Sequence, residues 1–457
     1  MAVRRQMALG AFIQGLGHHA AAWRHPDVDP ADFFRFDFYR EIAQKAEAAA
    51  FDAIFFADTL GIQGGGPEAI AWAPPMYHFE PLTLLSALAT HTSRIGLIAT
   101  VSASYLAPYH VARKFAALDN LSGGRAGWNC VTSASDVEAV NFGLAGQLPH
   151  DERYARAAEH VATVKALWDS WDDDAVVADK ATGQFYDPAR IHPVERQGAY
   201  FTTRGPLQTG RPPQGQPVVV QAGSSEAGQA LAAATADVIF TAQQSLAGAK
   251  AFADGLRAQV VAAGRPADSV RIMPGVSIYV APTRAEAQAA FDRLQGFIDP
   301  ARTVHAFKAF LDWDLSGVDL DSPPTPPPLT QGWQSRQLLF YETALAEKLT
   351  VRQLVGRLTA ARGHWVLIGT PTEVVDQLQA WFEAGAADGF NILAPTFPGG
   401  FDAIIALVLP ELRRRGLFRE AYTGTTLRDH LGLPRPVPQR DATMAECQNG
   451  TLTDALA

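Results

Sequence analysis

The feature that most constrains this chain is a series of short runs that are apolar nearly throughout, separated by longer amphipathic stretches. The runs occupy residues 7–13, 53–57, 95–101, 126–132, 217–222, 237–241, 271–280 and 390–394. A strand with one face in water alternates apolar and polar residues. One that is apolar on both faces must be covered on both, as in a parallel sheet wrapped by helices. Eight such strands with crossover helices predict closure into a (β/α)8 TIM barrel, with a doubly wound open sheet as the competing arrangement.

The helices between them read from their own signals. Residues 38–50 place Ile42, Ala46 and Ala49 among charges, residues 80–90 lead into Ile95, and residues 111–121 run into Ser122-Gly123-Gly124, a glycine stop. Residues 372–384 follow Gly369-Thr370-Pro371, with Thr370 or Thr372 as the cap and Glu373 in the first turn. Two segments leave this rhythm: 170–216, rich in Trp, Asp, Gly and Pro, and 281–364, which holds the proline cluster 322–328. One barrel domain over 1–433 is expected, with insertions at those two places and a polar arm over 434–457.

A chain of 457 residues, 47% hydrophobic and 19% charged, can bury a core of that size and is too apolar for general disorder. Its net charge of −9 offers no field for nucleic acid. The basic start is followed too soon by His18, His19, Trp23 and Arg24 for a signal peptide, and no run of about twenty apolar residues suggests a membrane span. A soluble cytoplasmic protein is expected. The two cysteines, Cys130 and Cys447, fit a reducing compartment and cannot make a Cys-rich metal site.

Gly15-Leu16-Gly17-His18-His19-Ala20 fits a loose dinucleotide pattern, but Trp23-Arg24-His25-Pro26 stand where its helix should begin. Chemistry is better sought at the strand ends, where barrel enzymes carry it. The second run ends at Asp58, the third in Thr100 and Ser102 on one side, and the fourth in Asn129, Cys130, Thr132 and Ser133. Asn129 and Cys130 point oppositely, so only one of them faces inward. His150 and Tyr154, four apart at a helix start, share a face beside free backbone N–H groups and suit an anion; a surface His and a packed Tyr are the plainer alternative. Gly223-Ser224-Ser225 makes a second such cradle, or a simple N-cap. The histidines His18, His19 and His25 lack the His-Glu-x-x-His spacing, so no metal is expected and a pocket histidine is the better reading.

Taken in order, Gly17-His18-His19 with Ala22-Trp23-Arg24, Phe56-Ala57-Asp58, Ala99-Thr100-Val101-Ser102, Leu121 through Arg125, Trp128 through Ser133, His150 through Tyr154 and Gln221 through Ser225 resemble the bacterial-luciferase-like flavin monooxygenases. The resemblance is to the branch holding nitrilotriacetate, EDTA, dibenzothiophene-sulfone and long-chain alkane monooxygenases. It implies FMN at the carboxyl ends of the barrel strands, with Asp58 and Thr100 at the ring or ribityl chain and His150, Tyr154, Ser224 and Ser225 at the phosphate. It implies reduced FMN delivered by a separate NAD(P)H:FMN reductase, O2 as co-substrate, and oxygen transfer through a C4a-(hydro)peroxyflavin to a small organic molecule. His19 is the residue expected to assist proton transfer, with His18 as the alternative, and a homodimer or homotetramer is expected. An F420-dependent oxidoreductase of the same fold and a non-catalytic flavin-binding protein are the competing functions. Substrate choice falls to the insertions, where Trp171, Phe185, Tyr200, Phe201 and Trp333 offer an aromatic lining and Arg190, Arg196 and Arg204 would favour an anion.

Overall fold

In a computed structural model of the chain, residues 5–62, 70–71, 75, 78–330 and 332–438 are described. Most of the arm expected over 434–457, with Cys447, therefore lies outside the described residues. The strands are β1 (Ala8–Ile13), β2 (Ala53–Phe56), β3 (Gly96–Ser102), β4 (Ala126–Val131), β5 (Arg196–Gln197), β6 (Thr202–Thr203), β7 (Val218–Gln221), β8 (Val238–Thr241), β9 (Arg271–Val280), β10 (Trp365–Gly369) and β11 (Gly389–Ile392). Parallel pairing runs β1-β2-β3-β4-β7-β8-β9-β11 and returns to β1, which closes an eight-stranded barrel and excludes the open sheet.

The sequence reading missed β10. The long strand β9 pairs through residues 271–274 with β8, through 275–276 with β11, and through 276–280 with β10. Its upper half thus stands above the closed barrel and carries a ninth strand of its own.

Period-two alternation sorts the side chains. Ala8, Phe12, Ala53, Phe55, Ile98, Val218, Val220, Val238, Phe240, Met273 and Leu393 pack together inside the barrel, whereas Leu9, Leu97, Ala99, Trp128, Cys130 and Val219 join the core beneath the helices. At the barrel axis a Cβ on Gly10 would lie 2.2 Å from Asn391 Oδ1, so that side chain fits only because residue 10 has none.

The outer layer consists of α1 (Phe36–Ala48), α2 (Pro81–Leu88), α3 (Pro108–Ser122), α4 (Asp136–Asn141), α5 (His150–Trp168), α6 (Glu226–Thr235), α7 (Leu246–Ala262), α8 (Arg284–Gln295), α9 (Pro300–Thr303), α10 (His305–Leu311), α11 (Gln334–Glu347), α12 (Val351–Ala361), α13 (Pro371–Glu383), α14 (Gly399–Arg414) and α15 (Leu427–Leu431). Gly123 ends α3 in the left-handed region (φ 68°), and Thr370 caps α13 in a capping box with Glu373. Among the described residues no helix is long and apolar enough to cross a membrane.

The segment 281–364 is mostly helical. Val304, Phe307, Leu311, Trp313, Phe340, Val351, Leu354 and Leu358 bury one another in a core separate from the barrel, and the proline run lies between α10 and α11. The segment 170–216 is held by the β5–β6 hairpin and by isolated bridges from Trp171 to Ile191 and Val176 to Tyr186.

The lower end of the barrel is stoppered by α15. Leu427, Leu431 and Leu433 insert among the interior side chains, and a Cβ on Gly96 would come within 2.4 Å of Leu427. Arg428 fixes the helix beneath the strands: its guanidinium donates to Asp237 at 2.9 Å and to the Gln216 carbonyl at 2.9 Å.

Candidate active site at the barrel mouth

Asp58 lies two residues beyond β2. Burial pushes its carboxyl up to about 7, helped by Glu80 and Glu138 and opposed by a bond from the Thr59 backbone. His78 Nδ1 is 3.5 Å from Asp58 Oδ1, and burial lowers that imidazole.

On β3 and β4, Thr100 donates to the Phe56 carbonyl at 2.9 Å and accepts from Asn129 Nδ2 at 2.8 Å. Its hydroxyl therefore ties three strands together. Asn129 Oδ1 is buried without a partner, and Asn129 shares the inward side of β4 with Gly127, whose missing Cβ faces Ile98. Cys130 takes the outward direction, where burial raises its thiol far above the usual range. Above them Ser102 Oγ and Ser133 Oγ lie 3.0 Å apart.

The two predicted anion cradles meet. Ser225 caps α6, accepting from Gly228 N at 3.2 Å, and its Oγ is 3.5 Å from Tyr154 Oη. His150 opens α5, where Pro149 supplies no side-chain cap, and its ring centroid is 4.8 Å from that of Tyr154. Ser224 Oγ lies 3.5 Å from Thr241 Oγ1 at the end of β8. Ser225, Tyr154 and His150 thus gather at two helix starts with Ser224 next to Ser225, and His150 Nδ1 lies 2.9 Å from Asp151 Oδ1 on its outer side; hydroxyls and helix N-termini together suit a phosphate dianion. A Cβ on Gly223 would come within 2.9 Å of the Gly228 Cα, which explains a glycine where the turn crosses the helix.

The adjacent histidines diverge. His19 is buried with Nδ1 accepting from Ala21 N at 3.0 Å and Nε2 facing the Gln295 amide at 3.2 Å; burial, then Arg362, lowers it to about 3. His18 turns into the mouth instead. Its ring meets Phe12 edge-on at 5.7 Å and His364 at 5.8 Å, and its Nδ1 is buried without a partner. His364 stacks on Phe240 at 5.0 Å with its Nδ1 also unpartnered, packed where a Cβ on Gly275 would be 2.5 Å away. Both rings are held neutral, first by burial and then by nearby arginines.

Sequence reasoning did not find His78, His364, Arg336 or Arg362. His78 stands near Asp58 only after the chain turns back between β2 and α2, and the other three lie in or beside the 281–364 insertion, with no spacing to mark them. Of the proposed lining residues, Trp171 donates to the Leu207 carbonyl and Trp333 packs on Phe310, whereas Phe185 is 54% exposed. Arg190 is engaged by Asp172, Asp174 and Asp187.

Comparison with known proteins converges on one family. The pattern of the family described as luciferase-like monooxygenase matches residues 11–388. The N-acetyl-S-(2-succino)cysteine monooxygenase of Bacillus subtilis (strain 168) is 43% identical over 441 residues, covering 95% of this chain and 98% of that protein. Nitrilotriacetate monooxygenase component A of Aminobacter aminovorans is also 43% identical, over 445 residues with the same coverage. A crystal structure of riboflavin lyase with modified FMN and riboflavin superposes with a TM-score of 0.84 at 32% identity, covering 97% of this chain and 99% of that one. A match that spans the closed barrel and the strand ends just described leaves one assignment: the chain is a monooxygenase belonging to the luciferase-like family.

Proposed function

We propose that this chain is the oxygenase component of a two-component system, receiving reduced FMN from a separate NAD(P)H:FMN reductase and using it with O2 to oxidise a small organic molecule. The observation that carries the reading is the meeting of Ser225 Oγ and Tyr154 Oη at 3.5 Å, with His150 on the tyrosine ring, at the same barrel mouth as the unpartnered Oδ1 of Asn129. The site fits the cofactor. His150, Tyr154, Ser224 and Ser225 would hold the phosphate, and Asp58, Thr100 and Asn129 the ring and ribityl end. Riboflavin lyase, similar in fold, was solved with modified FMN, and the designation "component A" of the nitrilotriacetate enzyme points to a partner component there.

Bound reduced flavin supplies the electrons that activate O2. The rest is the work of this chain's residues. Phe12, Phe55 and Phe240 wall the mouth with apolar rings and keep water from the reacting centre. Asp58, with a carboxyl titrating near 7, can hold or release a proton at physiological pH. We assign to His18, the alternative to His19, the mouth-facing imidazole that hydrogen-bonds the reacting oxygen, because both ring nitrogens of His19 face groups behind the mouth. A cytoplasmic homodimer or homotetramer completes the proposal.

The test combines the full chain, a flavin reductase, NADH, FMN and air with a panel of small organic molecules. One added oxygen by mass, or the corresponding cleavage product, is expected only when both reductase and FMN are present. Failure of the anaerobic chain to bind reduced FMN would remove the proposal.

A further inference from the structure

We infer that Arg336 and Arg362 form a receptor for a carboxylate at the side of the barrel mouth bounded by His18 and His364, and that the substrate is a small organic acid. The inference rests on the flavin monooxygenase reading and names the substrate class of that site.

Arg362 ends α12 in the left-handed region (φ 50°), and its carbonyl accepts from an Arg336 guanidinium nitrogen at 2.6 Å. That bond gives Arg336 a structural duty, clamping the turn that leads to His364. It gives the Arg362 guanidinium none. Both side chains are partly buried, yet among the described residues neither has a carboxylate within salt-bridge distance. Burial lowers each to about 10, and the charge acting on Arg336 is that of Arg362, another cation. Four arginines withdrawn from water elsewhere in the chain are satisfied: Arg428 pairs with Asp237, Arg211 with Asp169 and Arg419 with Asp52, while Arg125 donates to the carbonyls of Ala89, Thr92, Ile95 and Ser122. A partly buried pair of like charges without a counter-ion costs stability, and an incoming anion removes that cost.

The neighbours fit the same ligand. His18 brings a neutral ring with an unpartnered Nδ1 and His364 a neutral ring beside it, so they line the site without adding negative charge. Guanidinium groups match the two oxygens of a carboxylate in plane, which a neutral ester does not reproduce.

The test measures calorimetric binding of the flavin-free full chain to a panel of acids, including nitrilotriacetate and N-acetyl-S-(2-succino)cysteine, each beside its methyl ester. Acids should bind at least about tenfold more tightly than esters, as expected for charge-assisted recognition. Arg362→Gln should abolish that preference while leaving reduced-FMN affinity unchanged. Esters binding as well as acids, or no acid binding at all, overturns the inference without recourse to a variant. So does an Arg362→Gln chain that keeps the preference or loses reduced FMN instead. Because acid binding is read without flavin, a failure of the monooxygenase reading would appear separately, as an intact acid preference with no oxygen transfer.

Discussion

At the floor of the barrel, Arg428 meets Asp237, Gln214 donates to Asp119 at 2.6 Å, and Asp52 accepts from Leu9 N at 2.6 Å while paired with Arg419. At the mouth, Asn129 Oδ1 and the Nδ1 atoms of His18 and His364 are buried with nothing to bond, and Arg336 and Arg362 lack a carboxylate among the described residues. An unmade buried hydrogen bond costs about 1–3 kcal/mol, so these atoms at the mouth lower a stability to which the floor pairs contribute. The difference separates what holds the fold from what awaits a ligand. Burial alone would raise Asp237, but Arg428 and then Lys165 keep it below the ordinary carboxylate range, so the floor pair stays ionised.

The contrast can be broken at either end. The largest effect is expected from Arg428→Ala, which strands a buried carboxylate: about 3–5 kcal/mol lost in urea unfolding. A loss no larger than that of a surface substitution would mean that the floor does not carry stability. Next comes Gly10→Ala, whose Cβ would strike Asn391 on the axis; about 1–3 kcal/mol should be lost. At the mouth, Ser225→Ala and Tyr154→Phe should each weaken reduced-FMN binding by about 1–2 kcal/mol in anaerobic titration. Unchanged affinity in both would move the phosphate end elsewhere. The last effect concerns Asp58 and is read in its pH dependence. Its folded carboxyl titrates near 7, above the unfolded value of about 3.9, so the stability due to its proton is complete below pH 4 and is lost as pH rises through 7. Asp58→Asn should therefore gain melting temperature relative to the parent chain between pH 5 and pH 8; parallel curves would show an unshifted carboxyl.

The barrel was legible because strands covered on both faces write an unbroken apolar run, and seven of the eight barrel strands follow one another in the expected places before the last closes on β1. The strand β10 was not, since Trp365–Gly369 is a short apolar run beside a helix cap, and such a run has no period to separate strand from loop. The phosphate cradle was legible for a local reason, the caps and helix starts that carry it. Asn129 over Cys130 needed the parity of β4, which only its neighbours Ile98 and Gly127 fix. The same holds for His18 against His19: alternation says that they diverge, and only packing against Phe12 says which one enters. Anion recognition was sought at Arg190, where three aspartates already absorb the charge; Arg362 and Arg336 had no pattern, because the fold brings them to the mouth from an insertion over three hundred residues beyond β1.

The leucines of α15 have one more implication. With the interior packed by Phe12, Phe55 and Phe240 and the floor closed by Leu427 and Leu431, the strand ends form a cul-de-sac: whatever enters there must leave by the door through which it came. Traffic across that single threshold is a queue, and a departing molecule that lingers there delays the next arrival, however fast the chemistry inside.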